Sequence, residues 1–367
     1  MRVERLELRN VRAVLSAELR PAQGFNLLIG GNGAGKTTVL EALHLMAYGR
    51  SFRGRVRDGL VRTGTEALEV FVEWSEREQG PSARTRRAGV RHSGQEWSGR
   101  LDGQAVAQLG DLCAALAVVT FEPGSHALVS GGGEPRRRFL DWGLFHVEPA
   151  FTAVWRRYAR ALRQRNALLK SRAPALGQLE AWDRELAASG EPLSDFRQSY
   201  LERVEPAFSA LAERLTPMFG ATALSYQPGW RRDELPLADA LLLARDRDIS
   251  TGHTSVGPHR ADWRIEFANV ASRAHLSRGQ AKLAALCALL GQAACHAELA
   301  GEWPVVALDD LASELDQEHQ ARVLEWLAAA HPQVFITGTD APRWFSRSAG
   351  VEKTFCVTRG DIRALDA

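Results

Sequence analysis

Gly30-Gly31-Asn32-Gly33-Ala34-Gly35-Lys36-Thr37, followed by Thr38, decides how the rest of this 367-residue chain is read. The stretch fits the phosphate-loop pattern G-x-x-x-x-G-K-[ST] at every fixed position. Its neighbours fit as well. Phe25-Asn26-Leu27-Leu28-Ile29 ahead of it is an apolar run of strand length, and behind it Val39, Leu40, Leu43 and Met46 recur at helical spacing. Strand, glycine-rich turn and helix together put backbone N–H groups and a helix N-terminus around a polyphosphate. Gly30, Asn32, Gly33, Gly35, Lys36, Thr37 and Thr38 are the expected nucleotide-binding residues. Lys36 should reach the β- and γ-phosphates and Thr37 should hold Mg²⁺, so ATP with magnesium is the expected ligand. A turn that merely joins two elements would not require Lys-Thr in register.

Composition describes an ordinary soluble chain with a substantial core, 45% hydrophobic and 25% charged. A net charge of +2 gives no global basic field. The positive charge is unusual in kind, because only Lys36, Lys170, Lys282 and Lys353 among 46 basic residues are lysine. Arginine suits bidentate phosphate contacts, although a compositional habit would leave the same trace. Cys113, Cys287, Cys295 and Cys356 lack C-x-x-C or zinc spacing, and Cys287 falls on an apolar helix face as a buried thiol. Met1 leads straight into a strand-like alternation over residues 2–9 with no signal-peptide pattern. No apolar run approaches membrane-spanning length, so a cytoplasmic location is expected.

Further along, Glu69–Trp74 alternates, Leu116–Phe121 is an apolar strand, and Arg84–Arg91 is expected as a solvated hairpin or loop. The texture changes near Glu148. Helical patterns run over 151–169, over 174–190, and from Leu193 through Tyr200 and Phe208 to a stop at Pro217 and Gly220. Their lengths are globular, and Pro206 marks a kink or a new turn. Strands return with Trp263–Phe267, Val305–Leu308 and Val334–Ile336, alternating with helices over 281–294 and 317–330. This predicts an α/β fold. Residues 1–147 and 222–367 form a P-loop ATPase head, and 148–221 form an all-helical insertion.

Hydrolysis needs a carboxylate for Mg²⁺ and a group to orient water. Asp309 ends the apolar strand Val305–Leu308 and fits the metal role, while Asp310 can serve the water. Thr37 and Asp309 must then approach one Mg²⁺ although most of the chain separates them. The head is therefore assembled from both ends, unlike a small nucleotide kinase. Ser277-Arg278-Gly279-Gln280 precedes an amphipathic helix. Ser277 can cap that helix, or its exposed N–H groups can form a second anion site. Lacking a lysine of its own, such a site points to completion across a dimer, with Ser277 and Gly279 on the γ-phosphate held by a partner copy.

With these residues in view the chain resembles the ABC-type ATPase heads shared by transporter subunits and SMC/Rad50-like DNA-maintenance proteins. Within that superfamily it resembles the RecF family of bacterial recombination mediators. The resemblance is carried in order by Gly30–Thr38, Thr254–Arg260, Ser277–Gln280, Ala307–Asp316 and Gln333–Asp340, with Phe121–Pro123 and Gly133–Asp141 besides.

It implies an ATP-dependent homodimer that binds gapped DNA or single-strand/double-strand junctions and helps load the RecA recombinase together with RecR. It also implies that Ser277, Gly279 and Gln280 contact nucleotide and that Ser313–Asp316 crosses a dimer interface. Asp310 in place of the glutamate of transporter heads, with Thr337 in the switch, implies slow hydrolysis, and Thr339 and His259 are further residues to place. Arginines at 84–91, 136–138 and 156–165 are the expected phosphate contacts. Two other readings use the same head. A transporter subunit would ordinarily lack a helical block of this size, and an SMC/Rad50-like structural or nuclease-associated ATPase would need long heptad arms.

Overall fold

The computed structural model describes residues 1–54, 56, 59–77, 83–171, 176–270, 276–341, 343–346 and 351–365. Along the chain, β1 (Arg2–Val11), β2 (Val14–Leu19) and β3 (Phe25–Ile29) precede α1 (Lys36–Tyr48). Strands β4 (Leu68–Arg77), β5 (Ala83–His92), β6 (Trp97–Leu101) and β7 (Gln104–Val106) follow, then α2 (Leu109–Cys113) and β8 (Val118–Phe121). Helices α3 (Ala127–Ser130), α4 (Gly133–Val147), α5 (Phe151–Leu169) and α6 (Leu176–Leu215) lead to β9 (Thr222–Gln227). Next come α7 (Leu237–Leu243), α8 (Arg245–Thr251), β10 (Asp262–Phe267) and α9 (Arg278–Ala300). Then β11 (Val305–Leu308), α10 (Leu311–Glu314), α11 (Gln317–Ala330), β12 (Val334–Gly338), β13 (Val351–Thr358) and β14 (Asp361–Leu365) close the order.

Two compact units result, Met1–Ser125 with Leu286–Ala367, and His126–Ala285. The first contains two six-stranded sheets, one antiparallel in the order β2-β1-β4-β5-β6-β7 and one in the order β14-β13-β3-β12-β11-β8. In the second sheet every neighbour pair is parallel except β13 with β14. Leu308 pairs with Ile336 and Thr337 with Leu28, so β11, β12 and β3 end along one edge. Ligands of open parallel sheets bind outside such carboxyl ends. Leu6 and Leu8 of β1, Leu43 and Met46 of α1, and Ala307 and Phe335 of the parallel sheet share one core, so α1 lies between the sheets. Eleven of its 13 residues are buried, on every side rather than along one stripe. Truncating one of its leucines, such as Leu43→Ala, should cost about 2–5 kcal/mol.

Of the two expectations for Arg84–Arg91 the hairpin holds and the loop does not, since β4 and β5 pair antiparallel along their whole length. The stretch lies within β5, an interior strand paired with β4 and β6. Ala88 and Val90 fill inner positions, and Arg87 and Arg91 alternate onto the outer face. Arg84 and Arg86 share the inner parity, with Arg86 lying over the Trp74 ring and pairing with Glu76 and Asp102. This charge density disguises the strand in the sequence.

The boundaries of the second unit also differ from those expected, moving from 148 and 221 outward to 126 and 285. The sequence border follows texture, whereas the structural one follows buried polar ties. Arg136 of α4 donates to Asp262 of β10 at 2.5 and 3.0 Å, and Arg197 of α6 donates to Asp141 of α4 at 2.8 and 2.9 Å. The unit is not all-helical, since β9 and β10 form an antiparallel pair within it.

Two expected helices are fused. The patterns over 174–190 and 193–211 form the single α6 of 40 residues, with Pro192 and Pro206 inside, while Pro174 lies outside the described residues. Each proline removes a backbone bond. Buried Leu179, Leu186, Leu193 and Tyr200 nevertheless repeat at seven-residue spacing through the Gly190–Pro192 stretch, so packing outweighs the break. Arg157 bonds Glu185 and Arg165 bonds Asp183, which makes α5 and α6 antiparallel. With only 19 residues in α5, their pairing spans about 28 Å, too short for an extended arm.

By length and mean hydropathy alone α9 could cross a membrane, contrary to expectation; 67% of its most apolar window is buried in the protein, as suits a core helix.

Candidate functional site

Gly30 follows β3 at a point where a Cβ would meet the Val357 carbonyl oxygen at 2.2 Å, so no larger residue fits there. Gly35, at φ +111°, turns the chain into α1 through a conformation that side chains resist. Above Gly31 and Gly33 a Cβ would meet nothing within 4 Å, so that backbone is open to a ligand. The first turn of α1 holds no acidic residue and no side-chain cap, which leaves its N–H groups for an anion. Lys36 is buried and donates to the carbonyls of Gly30 and Gly31 at 2.7 and 3.0 Å. Its partners are neutral, so its charge is not cancelled.

Thr37 Oγ1 donates to Asp309 Oδ1 at 2.9 Å across 272 positions of sequence. Thr337 Oγ1 donates to the same oxygen at 2.7 Å and accepts from the Asp310 backbone N–H at 2.8 Å. One buried hydroxyl therefore aligns the two aspartates. Asp309 is 4% exposed. Burial holds its pKa above the usual carboxylate range, against the pull of the Thr337 and Thr37 hydroxyls; Asp310 pushes the same way as burial, and Arg53 opposes it. A buried carboxylate whose nearest donors are neutral hydroxyls is suited to a hard divalent cation. Asp310 takes φ +52°, a left-handed value tolerated by Asp, and stays half-exposed at the start of α10. Thr339 is exposed, one residue past the end of β12.

Glu41 was not singled out in the sequence, yet it is fully buried in α1. Arg12 donates to its carboxylate at 2.5 and 2.6 Å, and Ser51 donates to it as well. Ser51 also accepts from the backbone of Arg53 at 2.9 Å. The available signal is a lone carboxylate within the apolar run Val39–Leu45, which demands a partner.

In the second unit, Ser277 and Gln280 bond each other reciprocally. Gln280 N donates to Ser277 Oγ at 3.2 Å and Ser277 N to Gln280 Oε1 at 2.8 Å, forming a capping box at the head of α9. Ser277 and Gly279 remain exposed. His259 is held on both ring nitrogens, by Tyr158 Oη at 2.7 Å and the Thr254 carbonyl at 2.9 Å. The carbonyl requires the hydrogen on Nε2, so Nδ1 accepts from Tyr158. Burial pushes this imidazole down to about 4, and it is neutral near pH 7.

The expected arginine contacts divide by burial. Arg136 and Arg165 are 2% and 0% exposed and hold Asp262, and Asp183 with Asp248, respectively; they are structural. Arg156, Arg160 and Arg163 are exposed on α5.

The profile described as RecF/RecN/SMC N terminal domain matches residues 2–359. The chain is 66% identical over 342 residues to the DNA replication and repair protein RecF of Stenotrophomonas maltophilia (strain R551-3), covering 93% of this chain and 94% of that one. It is 38% identical to the protein of the same description from Thioalkalivibrio sulfidiphilus (strain HL-EbGR7), over 100% of each. Among solved structures, the recombination mediator protein RecF-ATP in the RecFOR pathway aligns with a TM-score of 0.87 at 26% identity, over 100% of this chain and 98% of that one. An Smc head bound to the C-winged helix domain of ScpA aligns at 0.61 and 14% identity over 100% and 97%, a likeness of fold.

Proposed function

The chain belongs to the RecF/RecN/SMC N-terminal domain family, and within it to the RecF proteins, and from that premise we propose that it is an ATP-dependent, DNA-binding recombination mediator. The observation that carries this reading is the meeting of Thr37 with Asp309, because it turns a bare phosphate loop into a site equipped for hydrolysis. The residues present fit ATP with magnesium: open backbone at Gly31 and Gly33, a cation bonded to neutral carbonyls, and a buried carboxylate beside a hydroxyl. Magnesium, when bound, neutralises charge on the β- and γ-phosphates.

The loop N–H groups and Lys36 bind the triphosphate, and Thr37 and Asp309 hold the metal. Thr337 orients Asp309 and fixes the backbone of Asp310, whose carboxylate positions the attacking water. An aspartate at that position suits slow hydrolysis, which times a closed state rather than driving a motor. Ser277, Gly279 and Gln280 meet the γ-phosphate bound by a second copy, so ATP assembles a homodimer. Exposed Arg156, Arg160 and Arg163 contact phosphates of gapped or junction DNA, giving affinity without base preference. In the cytoplasm this complex works with RecR to load RecA.

Light scattering with ATP, ADP or no nucleotide, each with and without a gapped duplex, tests the reading. A dimer specific to ATP and favoured by DNA is expected. A chain that stays monomeric under saturating unhydrolysed ATP would contradict it.

A further inference from the structure

Helix α11 buries one stripe, Gln320, Val323, Leu324 and Leu327. Three of these are apolar, and an amide among them is costly unless it is bonded. Gln320 is 8% exposed, and its Nε2 donates to the carbonyls of Leu315 at 2.7 Å and Ala312 at 3.4 Å. Both hydrogens of the amide are thereby used at the end of α10. Packing alone would be served as well by leucine, so the glutamine answers to α10.

Helix α10 needs such support. It has four residues, a single turn, and one turn does not hold itself together in water. Its last carbonyls lack partners within the helix, and it starts at Asp310 in left-handed backbone without a side-chain cap. The Asp310 carbonyl accepts from the Ser313 and Glu314 N–H groups at 2.9 and 3.2 Å, so the turn closes on Asp310 itself. Asp310 is thus held from two sides. Thr337 Oγ1 takes its N–H at 2.8 Å, and Gln320 fastens the far end of the turn. The start of α11 is fixed as well, because Asp316 caps it. The two Asp316 oxygens accept from the backbone N–H and the ring Nδ1 of His319 at 2.9 and 2.7 Å.

A carboxylate at the head of a single turn follows any tilt of that turn. We infer that Gln320 is a positioning residue for ATP hydrolysis: through α10 it sets where the Asp310 carboxylate stands, while itself remaining buried. The inference rests on the reading of Asp310 as the group that positions the attacking water, and adds to it the residue that holds Asp310 in place.

Single-turnover hydrolysis by the full chain with ATP, Mg²⁺ and a gapped duplex tests it, beside ATP binding by isothermal titration. Gln320→Met keeps the volume and removes both donors, and Gln320→Leu is a second apolar replacement read the same way. Each should slow hydrolysis about tenfold and leave the ATP dissociation constant within about twofold. Val323→Ala, on the same buried stripe, separates positioning from stability: it should lower the unfolding midpoint and leave the rate as it is. Asp310→Asn should itself slow hydrolysis about 100-fold. Adding Gln320→Met to it should change the rate by less than about twofold, since a residue that acts through Asp310 has nothing left to position. Parental rates in both Gln320 variants overturn the inference, as does the same tenfold loss in the Asp310→Asn background or an equal loss in Val323→Ala. A rate that recovers as protein concentration is raised overturns it too, by placing Gln320 in assembly. Asp310→Asn hydrolysing at the parental rate would remove the reading of Asp310 and the inference with it.

Discussion

Lys36 and Arg165 are both buried cations, and their surroundings separate two uses of buried charge. Arg165, at 0% exposure, donates to Asp183 at 2.6 Å, Asp248 at 2.7 Å and Thr254 at 3.0 Å. Asp183 also accepts from Arg245, and Asp248 from Ser255, so the second unit closes a balanced network around it. Among the described residues Lys36 has only two loop carbonyls. A cation whose partners are carboxylates is already neutralised and holds structure; one whose partners are dipoles retains its charge for an anion. The comparison can be broken by exchanging the expected consequences. Arg165→Leu leaves the fully buried Asp248 without a cation and Asp183 with Arg245 alone, and should cost about 3–5 kcal/mol in urea unfolding. If it instead unfolds within about 1 kcal/mol of the parent, the network is not what holds α5, α6 and α8 together.

Lys36→Ala is the counterpart. It should leave unfolding within about 1 kcal/mol of the parent and weaken ATP binding on the order of 100-fold, about 2.7 kcal/mol. Isothermal titration and urea unfolding on one preparation decide it. A large loss of stability with ATP affinity preserved would reverse the assignment. Asp309→Asn sharpens the other half of the site, because it keeps the shape and removes the charge. Single-turnover hydrolysis should fall on the order of 100-fold, with the magnesium dependence shifted to higher concentration. Undiminished hydrolysis would remove Asp309 from the metal. A smaller effect is expected of Thr337→Val, which deletes the hydroxyl shared by the aspartates: about 1–2 kcal/mol of stability and slower turnover, with nucleotide binding intact. Loss of binding instead would mean that Thr337 shapes the phosphate loop itself.

The same contrast explains what the sequence could reveal. Gly30–Thr37 and Asp309 were legible because backbone conformation and strand ends need particular residues at fixed spacing, whatever surrounds them. Val305–Leu308 and Phe25–Ile29 were legible because strands buried on both faces are near-continuous apolar runs, broken here only at Asn26. The arginines were not, since Arg136, Arg138, Arg163 and Arg165 are one residue type in similar local sequence. Burial alone separates them, and burial is set by Asp262, Asp183 and Asp248 from distant positions. Strand β5 hid behind its charges, and β13 begins with Val351-Glu352-Lys353, a weak strand signal whose pairing with β3 supplies the stability. Helix α6 escaped because Gly190 and Pro192 are strong local stop signals overridden by a stripe spanning the whole element. The unit boundary escaped for the same reason as the arginines.

His259 provides the finest test of how the balanced network differs from the open site. Its ring is neutral in the fold, with the pKa lowered by burial, helped down by Arg260 and Arg137 and opposed by the Thr254 carbonyl and Asp248. Between its ordinary value near 6.5 and its folded value of about 4, the unfolded chain binds the extra proton. The stability it contributes is therefore complete above pH 6.5 and is lost as pH falls toward 4, by at most about 1.4 kcal/mol per pH unit. His44, lowered to about 3, and His296, lowered to about 4, act in the same direction. His259→Gln, which keeps a neutral donor and acceptor, should therefore reduce but not abolish the fall in urea midpoint between pH 6.5 and 5. Parallel curves for variant and parent would mean that the ring is charged in the folded state. Its bonds to Thr254 and Tyr158 would then have to be redrawn, because an imidazolium has no lone pair with which to accept the tyrosine proton.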